Sequence, residues 1–479
     1  MEFFAKNSAF FLKDSKVSIK GINWFGLETE VYALHGLWSV SMKSILDFLQ
    51  KNNFNALRIP FSTELALGLD TIKCKSINTS ANPDLENSTA GHLLDTLVRE
   101  CEKRGILILL DMHRLVGTGT ITEIWYDDAA GFNEQTVIKA WEIIVKRYIG
   151  HDNVFAVDLK NEPHGKATWG TGNPTTDWNS AAERIGNAIL SINPKLLIFV
   201  EGVESVNGVG SWWGGNLAGI KDHPIILKVP NKLVYSLHVY GPSVAQQPYF
   251  SNATFPQNLP EVWDRDFGFV KKQALGTICV GEFGGWMKSE NKDDIWQNAV
   301  GDYFLHNNID FFYWGLNPNS GDTGGILQDD WITPVQPKID LLQRISPNPT
   351  KFSFAPQPTP PAPQPAPQPA PQPAPQPAPQ PAPQPTPQLK VTLFNKNSWV
   401  DGRNNRVFQK DVTVTNTGTT TILDMKLKLT CSQLVQIWNV TNNGGVLSFP
   451  DFMKQNGGLP PKASFTFGLI ATGTVAIQL

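Results

Sequence analysis

Two glutamates, Glu162 and Glu282, could supply the chemistry of this 479-residue chain. Glu162 follows the apolar run Val154–Lys160, and Glu282 ends the apolar run Thr277–Glu282. A pair of carboxyl groups that face one cleft can cleave a glycosidic bond, because one protonates the leaving oxygen while the other attacks the anomeric carbon. The alternative is that both are ordinary surface charges. Their position at the ends of buried strands favours the catalytic interpretation.

Eight apolar runs precede residue 350 and are typical of strands that are covered on both faces. Amphipathic stretches that predict helices lie between them, including Ser41–Lys51, Gly91–Arg104, Glu134–Ile149 and Asp177–Ser191. Eight β/α units in this length predict an α/β fold of the (β/α)8 TIM-barrel type rather than a doubly wound sheet. The predicted strands are Val17–Asn23, Ala56–Pro60, Ile106–Asp111, Val154–Lys160, Leu196–Glu201, Leu233–His238, Thr277–Glu282 and Phe311–Trp314.

Polar or aromatic residues end six of these predicted strands. In barrel enzymes the catalytic groups lie at the carboxyl ends of the strands, so these residues should converge on one rim. The fourth and seventh strands lie nearly opposite each other, which predicts that Glu162 faces Glu282. The six strand ends are Arg58, Asp111-Met112-His113, Asn161-Glu162-Pro163, His238-Val239-Tyr240, Gly281-Glu282-Phe283-Gly284 and Tyr313-Trp314-Gly315.

A repeat of Pro-Ala-Pro-Gln divides the chain into three parts. We predict a barrel domain over residues 1–350, a linker over 351–388 and an all-β sandwich over 389–479. The repeat favours extended polyproline II, which would make a semi-rigid spacer on the order of 100 Å long. A less favoured interpretation is a PxxP ligand, which the absence of basic residues beside the repeat disfavours.

Composition excludes several classes of partner. The net charge of -3 and the sequence pI near 6.3 argue against nucleic acid and anionic membranes as partners. No apolar run reaches the length of a membrane span. The four cysteines have neither metal-like nor redox-like spacing, so we expect no metal, no cofactor and no disulfide framework. Four of the fifteen tryptophans are assigned to structural packing: Trp24, Trp141, Trp263 and Trp296.

The segments around Glu162 and Glu282 resemble glycoside hydrolase family 5, and most closely its bacterial endo-β-1,4-glucanases. The resemblance covers nearly all of residues 10–345. Further segments that match in order are Gly21-Ile22-Asn23-Trp24-Phe25-Gly26, His35-Gly36-Leu37-Trp38, Arg58-Ile59-Pro60, Trp212-Trp213-Gly214-Gly215-Asn216-Leu217 and Gly321-Asp322-Thr323-Gly324-Gly325-Ile326-Leu327.

The resemblance implies a role for each matching residue. Glu282 would be the nucleophile, kept ionised by Arg58 and positioned by Tyr240. Glu162 would be the general acid/base, with a pKa raised by the charge of Glu282. His238 would orient Glu162.

The remaining matching residues would contact the sugar. Asn161 and His113 would bind hydroxyl groups, and Trp314 would form the floor beneath the reacting ring. Trp38 and Trp213 would stack on sugars further along the cleft, although packing against neighbouring helices is the alternative for both.

The chain departs from the family pattern in two places. The close bacterial relatives carry cysteine pairs in the loops after the first, third and fourth strands, and here these loops have none. The sequence therefore predicts that these loops lack the covalent links found in those relatives. Lys160 also stands where a histidine is usual.

The C-terminal region resembles carbohydrate-binding module family 49. The matching segments are Asn416-Thr417-Gly418, Gln436-Ile437-Trp438-Asn439, Gly458-Leu459-Pro460-Pro461 and Ser464-Phe465-Thr466-Phe467. The candidates for stacking on cellulose are Trp399, Trp438 and Phe452. The alternative is that both tryptophans belong to the core of the sandwich.

These observations predict endo-acting, retaining hydrolysis of β-1,4-glucosidic bonds in cellulose by a monomer. The same mechanism on mannan, xyloglucan or mixed-linkage glucan is one alternative, and a non-catalytic cellulose-binding wall protein is another. The first residues, Met1 to Lys6, lack the pattern of a signal peptide. We nevertheless expect secretion, because the substrate is a polymer and four sequons occur, at Asn78, Asn87, Asn252 and Asn439.

Overall fold

A computed structural model describes residues 1–354, 389–400, 406–450, 453–454, 458–473 and 475–478, without the side chains of residues 397 and 399. The chain divides into two compact units, Met1–Pro360 and Pro361–Leu479. The predicted linker falls outside the described residues from residue 355 to residue 388. Among the described helices, none has both the length and the apolar character needed to cross a membrane.

The strands of the first unit confirm the predicted barrel. Eight of them form a closed parallel barrel in the order β11-β12-β13-β4-β5-β6-β7-β8. In chain order the strands are β1 (Phe3–Lys6), β2 (Ala9–Leu12), β3 (Ser15–Val17), β4 (Lys20–Asn23), β5 (Ala56–Ser62), β6 (Leu107–Arg114), β7 (Val154–Asp158), β8 (Leu197–Glu201), β9 (Ser205–Val206), β10 (Val209–Gly210), β11 (Leu233–His238), β12 (Ile278–Phe283) and β13 (Asp310–Tyr313).

The N-terminal strands form a small antiparallel sheet that the sequence did not predict. β1 pairs with β2 and β2 with β3, so Val17 ends this sheet rather than beginning the first barrel strand. Phe3 and Phe10 from this sheet are buried with the apolar side chains at the amino ends of the barrel strands, such as Leu107. The sheet therefore closes the end of the barrel opposite the predicted rim.

Helices cover the outside of the barrel at nearly every connection. Their apolar residues recur at helical spacing: Met42, Ile45, Leu46 and Leu49 form the buried face of α1. The exception is the connection from β8 to β11, which holds a short hairpin and a single 3-10 turn, Ala218–Lys221. The helices are α1 (Met42–Lys51), α2 (Thr63–Leu67), α3 (Ala90–Lys103), α4 (Glu134–Tyr148), α5 (Trp178–Ile192), α6 (Leu259–Trp263), α7 (Phe269–Lys272), α8 (Asp293–Asn307) and α9 (Gln336–Ile345).

Carboxylates hold together the loops in which the cysteine pairs of the family are missing. Glu64 accepts hydrogen bonds from the Tyr32 hydroxyl at 3.0 Å and the Gly117 amide at 2.9 Å, which joins the loops after β4 and β6. Asp177 accepts bonds from the Thr168 and Thr171 hydroxyls, each at 2.7 Å, in the loop after β7. Hydrogen bonds to charged groups are among the stronger ones, so these loops are fixed without covalent links.

Replacing Asp177 with alanine is expected to destabilise the first unit by about 1–3 kcal/mol, because the hydrogen bonds that Thr168, Thr171 and Gly172 donate to this buried carboxylate are lost. Burial would raise the pKa of Asp177, but the hydrogen bonds from Thr168, Thr171 and Gly172 outweigh it and lower the pKa. A carboxyl group with a lowered folded-state pKa stabilises at neutral pH, and this contribution disappears as the pH falls through that value.

Thermal unfolding at neutral and acid pH tests this prediction. The gap between wild type and Asp177→Ala should be largest at neutral pH and should shrink in acid. Asp128→Ala is the matched control, since it removes an exposed carboxylate without a side-chain hydrogen bond among the described contacts. Equal melting temperatures for Asp177→Ala and wild type at neutral pH would contradict the role given to Asp177.

The second unit is all β, as predicted. Two four-stranded sheets, β14-β15-β20-β17 and β18-β19-β16-β21, share one apolar cluster that includes Val412, Phe467 and Leu427. The strands are β14 (Leu389–Val400), β15 (Arg406–Asn416), β16 (Leu427–Thr430), β17 (Gln433–Trp438), β18 (Thr441–Asn443), β19 (Val446–Ser448), β20 (Ser464–Thr472) and β21 (Ala476–Gln478).

Candidate active site

Arg58 lies at the centre of the predicted rim and is fully buried on β5. Burying a guanidinium requires charged partners, and Arg58 contacts four carboxylates from four other strands. The closest is Glu282, whose Oε1 accepts a bond from Arg58 Nη1 at 2.6 Å. The other three are Asp158 at 3.0 Å, Asp111 at 3.0 Å and Glu201 at 3.2 Å.

The two predicted glutamates face each other at this rim. Ligand atoms of Glu162, His238 and Glu282 all lie within 4.8 Å of one another. The Tyr240 hydroxyl donates to Glu282 Oε2 at 2.5 Å. His238 Nδ1 lies 3.1 Å from Glu162 Oε1 and 3.4 Å from Glu282 Oε2. The structure therefore brings together four of the predicted residues around one point.

Such spacing also suits a divalent cation, which we did not predict from the sequence. Both oxygens of Glu282 already accept hydrogen bonds, from Arg58 and from Tyr240. A cation would have to compete with both donors for that carboxylate. The hydrogen bonds to Glu282 therefore favour nucleophilic and acid/base chemistry at the two carboxyl groups over the binding of a metal ion.

Burial and charge act in opposite directions on the two carboxyl groups. Burial raises the pKa of Glu282 to about 7, while His238 and Arg58 lower it. Burial also opposes ionisation of Glu162, but the hydrogen bond and charge of His238 outweigh it and lower its pKa. These directions are the reverse of our expectation. For Glu282 the reason is burial, and for Glu162 it is His238, whose pKa rises despite burial because Glu201 and Glu282 stabilise its charged form.

Asn161, His113 and Trp314 surround the carboxyl pair. Asn161 is buried, and its Oδ1 accepts a bond from Arg58 Nη2 at 3.0 Å. The Asn161 Nδ2 has no hydrogen-bond partner among the described residues. His113 Nδ1 lies 2.7 Å from Asp111 Oδ2, and its ring is parallel to that of Trp314, with centroids 5.6 Å apart. These three residues line the site, and the Asn161 Nδ2 is the amide donor among them that is available to a ligand.

Comparison with known proteins identifies this arrangement. Residues 15–320 match the family model described as cellulase, glycosyl hydrolase family 5. The chain belongs to glycoside hydrolase family 5. Residues 389–472 match the model of the carbohydrate-binding domain CBM49, which confirms the second predicted resemblance.

Relatives of the family 5 domain are named as endoglucanases. An endoglucanase of Paenibacillus polymyxa is 47% identical over 334 residues, which are 69% of this chain and 83% of that protein. The major extracellular endoglucanase of Xanthomonas campestris pv. campestris is 43% identical over 339 residues, 69% of this chain and 68% of that protein. An endocellulase from Pyrococcus horikoshii, solved in complex with cellotetraose, is 40% identical with a TM-score of 0.68, covering 72% of this chain and 98% of its own.

The two predicted stacking tryptophans of the family 5 domain are exposed on the same rim. Trp213 is 44% exposed, and its ring stacks on His164 with centroids 3.7 Å apart. Trp38 is 39% exposed and contacts the rings of His35 and Trp331. Each ring is thus supported from behind and keeps accessible surface. The four tryptophans assigned to structural packing are buried, as predicted.

Sequence reasoning missed several residues of the site. Asp158 and Glu201 were counted only as parts of strands, although both contact Arg58. The signal was present for Glu201, because it is a charged residue at the carboxyl end of the fifth predicted strand. Phe25, whose ring is parallel to Trp314 at 5.2 Å, and His164 lie in loops with no comparable pattern.

The CBM49 domain presents a row of residues across four strands of one sheet. Strand register pairs Phe394 with Asp411, Asp411 with Gly468, and Gly468 with Trp438. Trp438 is partly buried and lies against Gly468, where an added Cβ would come within 2.1 Å of the indole ring. Phe394 was not predicted and is 67% exposed. Phe452 and the side chain of Trp399 lie outside the described residues.

Proposed function

We propose that this protein hydrolyses internal β-1,4-glucosidic bonds of cellulose with net retention of configuration. The main support for this proposal is the short distance between Glu162 and Glu282, whose nearest carboxylate oxygens lie within 4.8 Å of each other. Retaining glycosidases hold their carboxyl groups about 5–5.5 Å apart, whereas inverting enzymes need about 6.5–9.5 Å to admit a water molecule. This separation leaves room for direct attack by one carboxylate on the sugar.

Glu282 is the nucleophile in this proposal. Arg58 and Tyr240 donate to its two oxygens, so a proton on either oxygen would have to displace a donor. Glu162 accepts from His238 through one oxygen only and keeps the other for a proton. We therefore assign the negative charge to Glu282 and the proton to Glu162, against the directions set by burial and by the charge of His238.

The reaction then has two steps. Glu282 attacks the anomeric carbon while Glu162 gives its proton to the leaving oxygen, which yields a glycosyl ester and the shortened glucan. Esterification removes the charge of Glu282, and Glu162 becomes the base that takes a proton from water. That water attacks the anomeric carbon and breaks its bond to Glu282, which leaves as a carboxylate, and this second inversion restores the original configuration. The free amide donor of Asn161 is available to bind the sugar 2-hydroxyl, and His113 and Trp314 to hold the reacting ring.

Cellulose is favoured over the substituted chain of xyloglucan by the exposed rings of Trp38 and Trp213, which suit the flat faces of unsubstituted glucose units. The relatives named as endoglucanases and the neighbour with cellotetraose support the same substrate. Viscosity and reducing sugar should be measured on carboxymethylcellulose, mannan, xyloglucan and mixed-linkage glucan. A fast fall in viscosity with little reducing sugar on carboxymethylcellulose is expected. Activity confined to another glycan would overturn the substrate, and inactivity on all four would favour the binding-protein alternative.

The CBM49 domain would hold this monomeric, secreted enzyme on its polymer. Stacking on an exposed ring contributes on the order of 1 kcal/mol, so Trp438→Ala should weaken binding to cellulose by roughly 3- to 10-fold. Gly468→Val should weaken it similarly, because its side chain would lift the indole from the sheet.

Depletion by microcrystalline cellulose measures this binding. Leu423→Ala is the control, because Leu423 is exposed but lies outside the row across the sheet. Unchanged binding of Trp438→Ala would remove this residue from the binding surface. Secretion is tested separately by fractionating the culture that produces the native protein.

A further inference from the structure

Three carboxylates around Arg58 have no task in the reaction described above, and Glu201 is the one whose amide-bonded oxygen reaches Glu162 directly. Glu201 ends β8, is fully buried, and its backbone oxygen accepts a bond from Trp178 Nε1 at 2.9 Å. Burying a carboxylate is unfavourable unless its oxygens are paired. One oxygen of Glu201, Oε2, contacts Glu162 itself. The other oxygen, Oε1, contacts His238 and Arg58, which in turn contact the two catalytic glutamates.

The first contact is to the backbone of Glu162. Glu201 Oε2 accepts a hydrogen bond from the Glu162 amide at 2.8 Å. Glu162 has a φ of 53°, in the left-handed region that non-glycine residues rarely adopt. A residue in that region needs its surroundings to hold it there. The bond from Glu201 is directed at the residue that bears this strain.

The second contact is to the partner of the Glu162 side chain. Glu201 Oε1 lies 3.1 Å from His238 Nε2, and the other nitrogen of that ring, Nδ1, lies 3.1 Å from Glu162 Oε1. The contact with Nε2 is an ion pair rather than an aligned hydrogen bond, and it holds the charged ring between Glu201 and Glu162 by electrostatic attraction. One carboxylate thus reaches the acid/base residue by two routes, through its amide and through His238.

The backbone of Gly214 packs closely against the carboxylate of Glu201, and a Cβ at Gly214 would come within 2.1 Å of Glu201 Oε2. We propose that Glu201 is the positioning residue that aims the carboxyl group of Glu162 at the leaving oxygen. This inference rests on the proposed role of Glu162 as the general acid.

The competing possibility is that Glu201 acts on the nucleophile, since its Oε1 also accepts from Arg58 Nη2 at 3.2 Å. Arg58 keeps two other carboxylates, Asp111 and Asp158, each at 3.0 Å, so its position does not depend on Glu201 alone. The two possibilities predict different sensitivities to the leaving group. Acid catalysis matters for a poor leaving group and hardly for a good one, whereas a displaced nucleophile slows both reactions.

Glu201→Gln in the full chain is the test, because an amide can accept at one position only and must lose one of the two routes. We expect kcat/KM for cellopentaose, whose leaving group is a sugar alcohol, to fall about 10- to 100-fold, and kcat/KM for dinitrophenyl cellobioside to fall less than about 3-fold. Equal losses on both substrates, or no loss on either, would overturn the proposal. Glu201→Asp, which keeps the charge but shortens the reach, provides a second variant with the same expected pattern if Glu201→Gln does not fold.

Two controls separate this inference from the proposed function. Glu204→Gln changes a carboxylate that accepts a hydrogen bond from the nearby Gly165 amide at 2.9 Å and does not contact Glu162. This variant should have the same kcat/KM as the wild type on both substrates. Glu162→Gln should show the same selective loss as Glu201→Gln in a stronger form. Selective loss in Glu162→Gln alone means that only the role of Glu201 is wrong. Absence of selectivity in Glu162→Gln means that the assignment of the general acid is wrong.

Discussion

Replacing Glu282 with alanine is expected to lower kcat/KM on carboxymethylcellulose by about 10⁴- to 10⁶-fold, the range lost when a covalent nucleophile is removed from an enzyme. The variant should still fold, because Arg58 retains Asp111, Asp158 and Glu201 as partners. The loss therefore reports chemistry rather than unfolding.

Azide gives this prediction a stereochemical readout. The alanine variant opens space beneath the anomeric carbon, and azide entering there from solution should displace a good leaving group with a single inversion. We expect an α-glycosyl azide from dinitrophenyl β-cellobioside. Glu290→Ala, which removes an exposed carboxylate from the loop after the same strand, should behave as wild type. A β-azide product, or activity close to wild type, would exclude Glu282 as the nucleophile.

Replacing Glu162 should cost about 10²- to 10⁴-fold in kcat/KM on carboxymethylcellulose, as expected for loss of general acid catalysis. In the wild type, kcat/KM should decline at high pH as Glu162 loses its proton, and this limb should be missing in Glu162→Gln. With Glu162→Ala and dinitrophenyl cellobioside, azide should attack the glycosyl ester and give the β-azide. An α-azide from this variant, or a high-pH limb that persists in Glu162→Gln, would contradict the assignment.

Much of the barrel was predictable because each of its strands is buried on both faces and therefore reads as an apolar run. β11 was predicted at its observed bounds, Leu233–His238. The N-terminal sheet escaped because its strands have only three or four residues, too few for alternation to be visible. The missing helix after β8 escaped because its place is taken by the loop that carries Trp213.

The site was predictable where a strand delivers a side chain directly to the rim, as for Arg58, Glu162 and Glu282. The sequence does not show how charge is distributed among these three residues. Arg58 meets carboxylates from four other strands, and no sequence spacing encodes that meeting. The reversed pKa directions have two different causes: burial raises the pKa of Glu282, while His238, 3.1 Å from Glu162, lowers the pKa of that residue.

The carboxylate contacts that fix the loops after β4, β6 and β7 bear on where and how this protein can be made. All four cysteines are free, so neither an oxidant nor an isomerase is needed for the loops to close. Active enzyme should form as readily in a reducing cytosol as in a secretory compartment, and thiol reductants should not weaken it. A cellulose digestion run with reduced sulfur compounds, where disulfide-linked enzymes lose their cross-links, is a setting to which this chain is already suited.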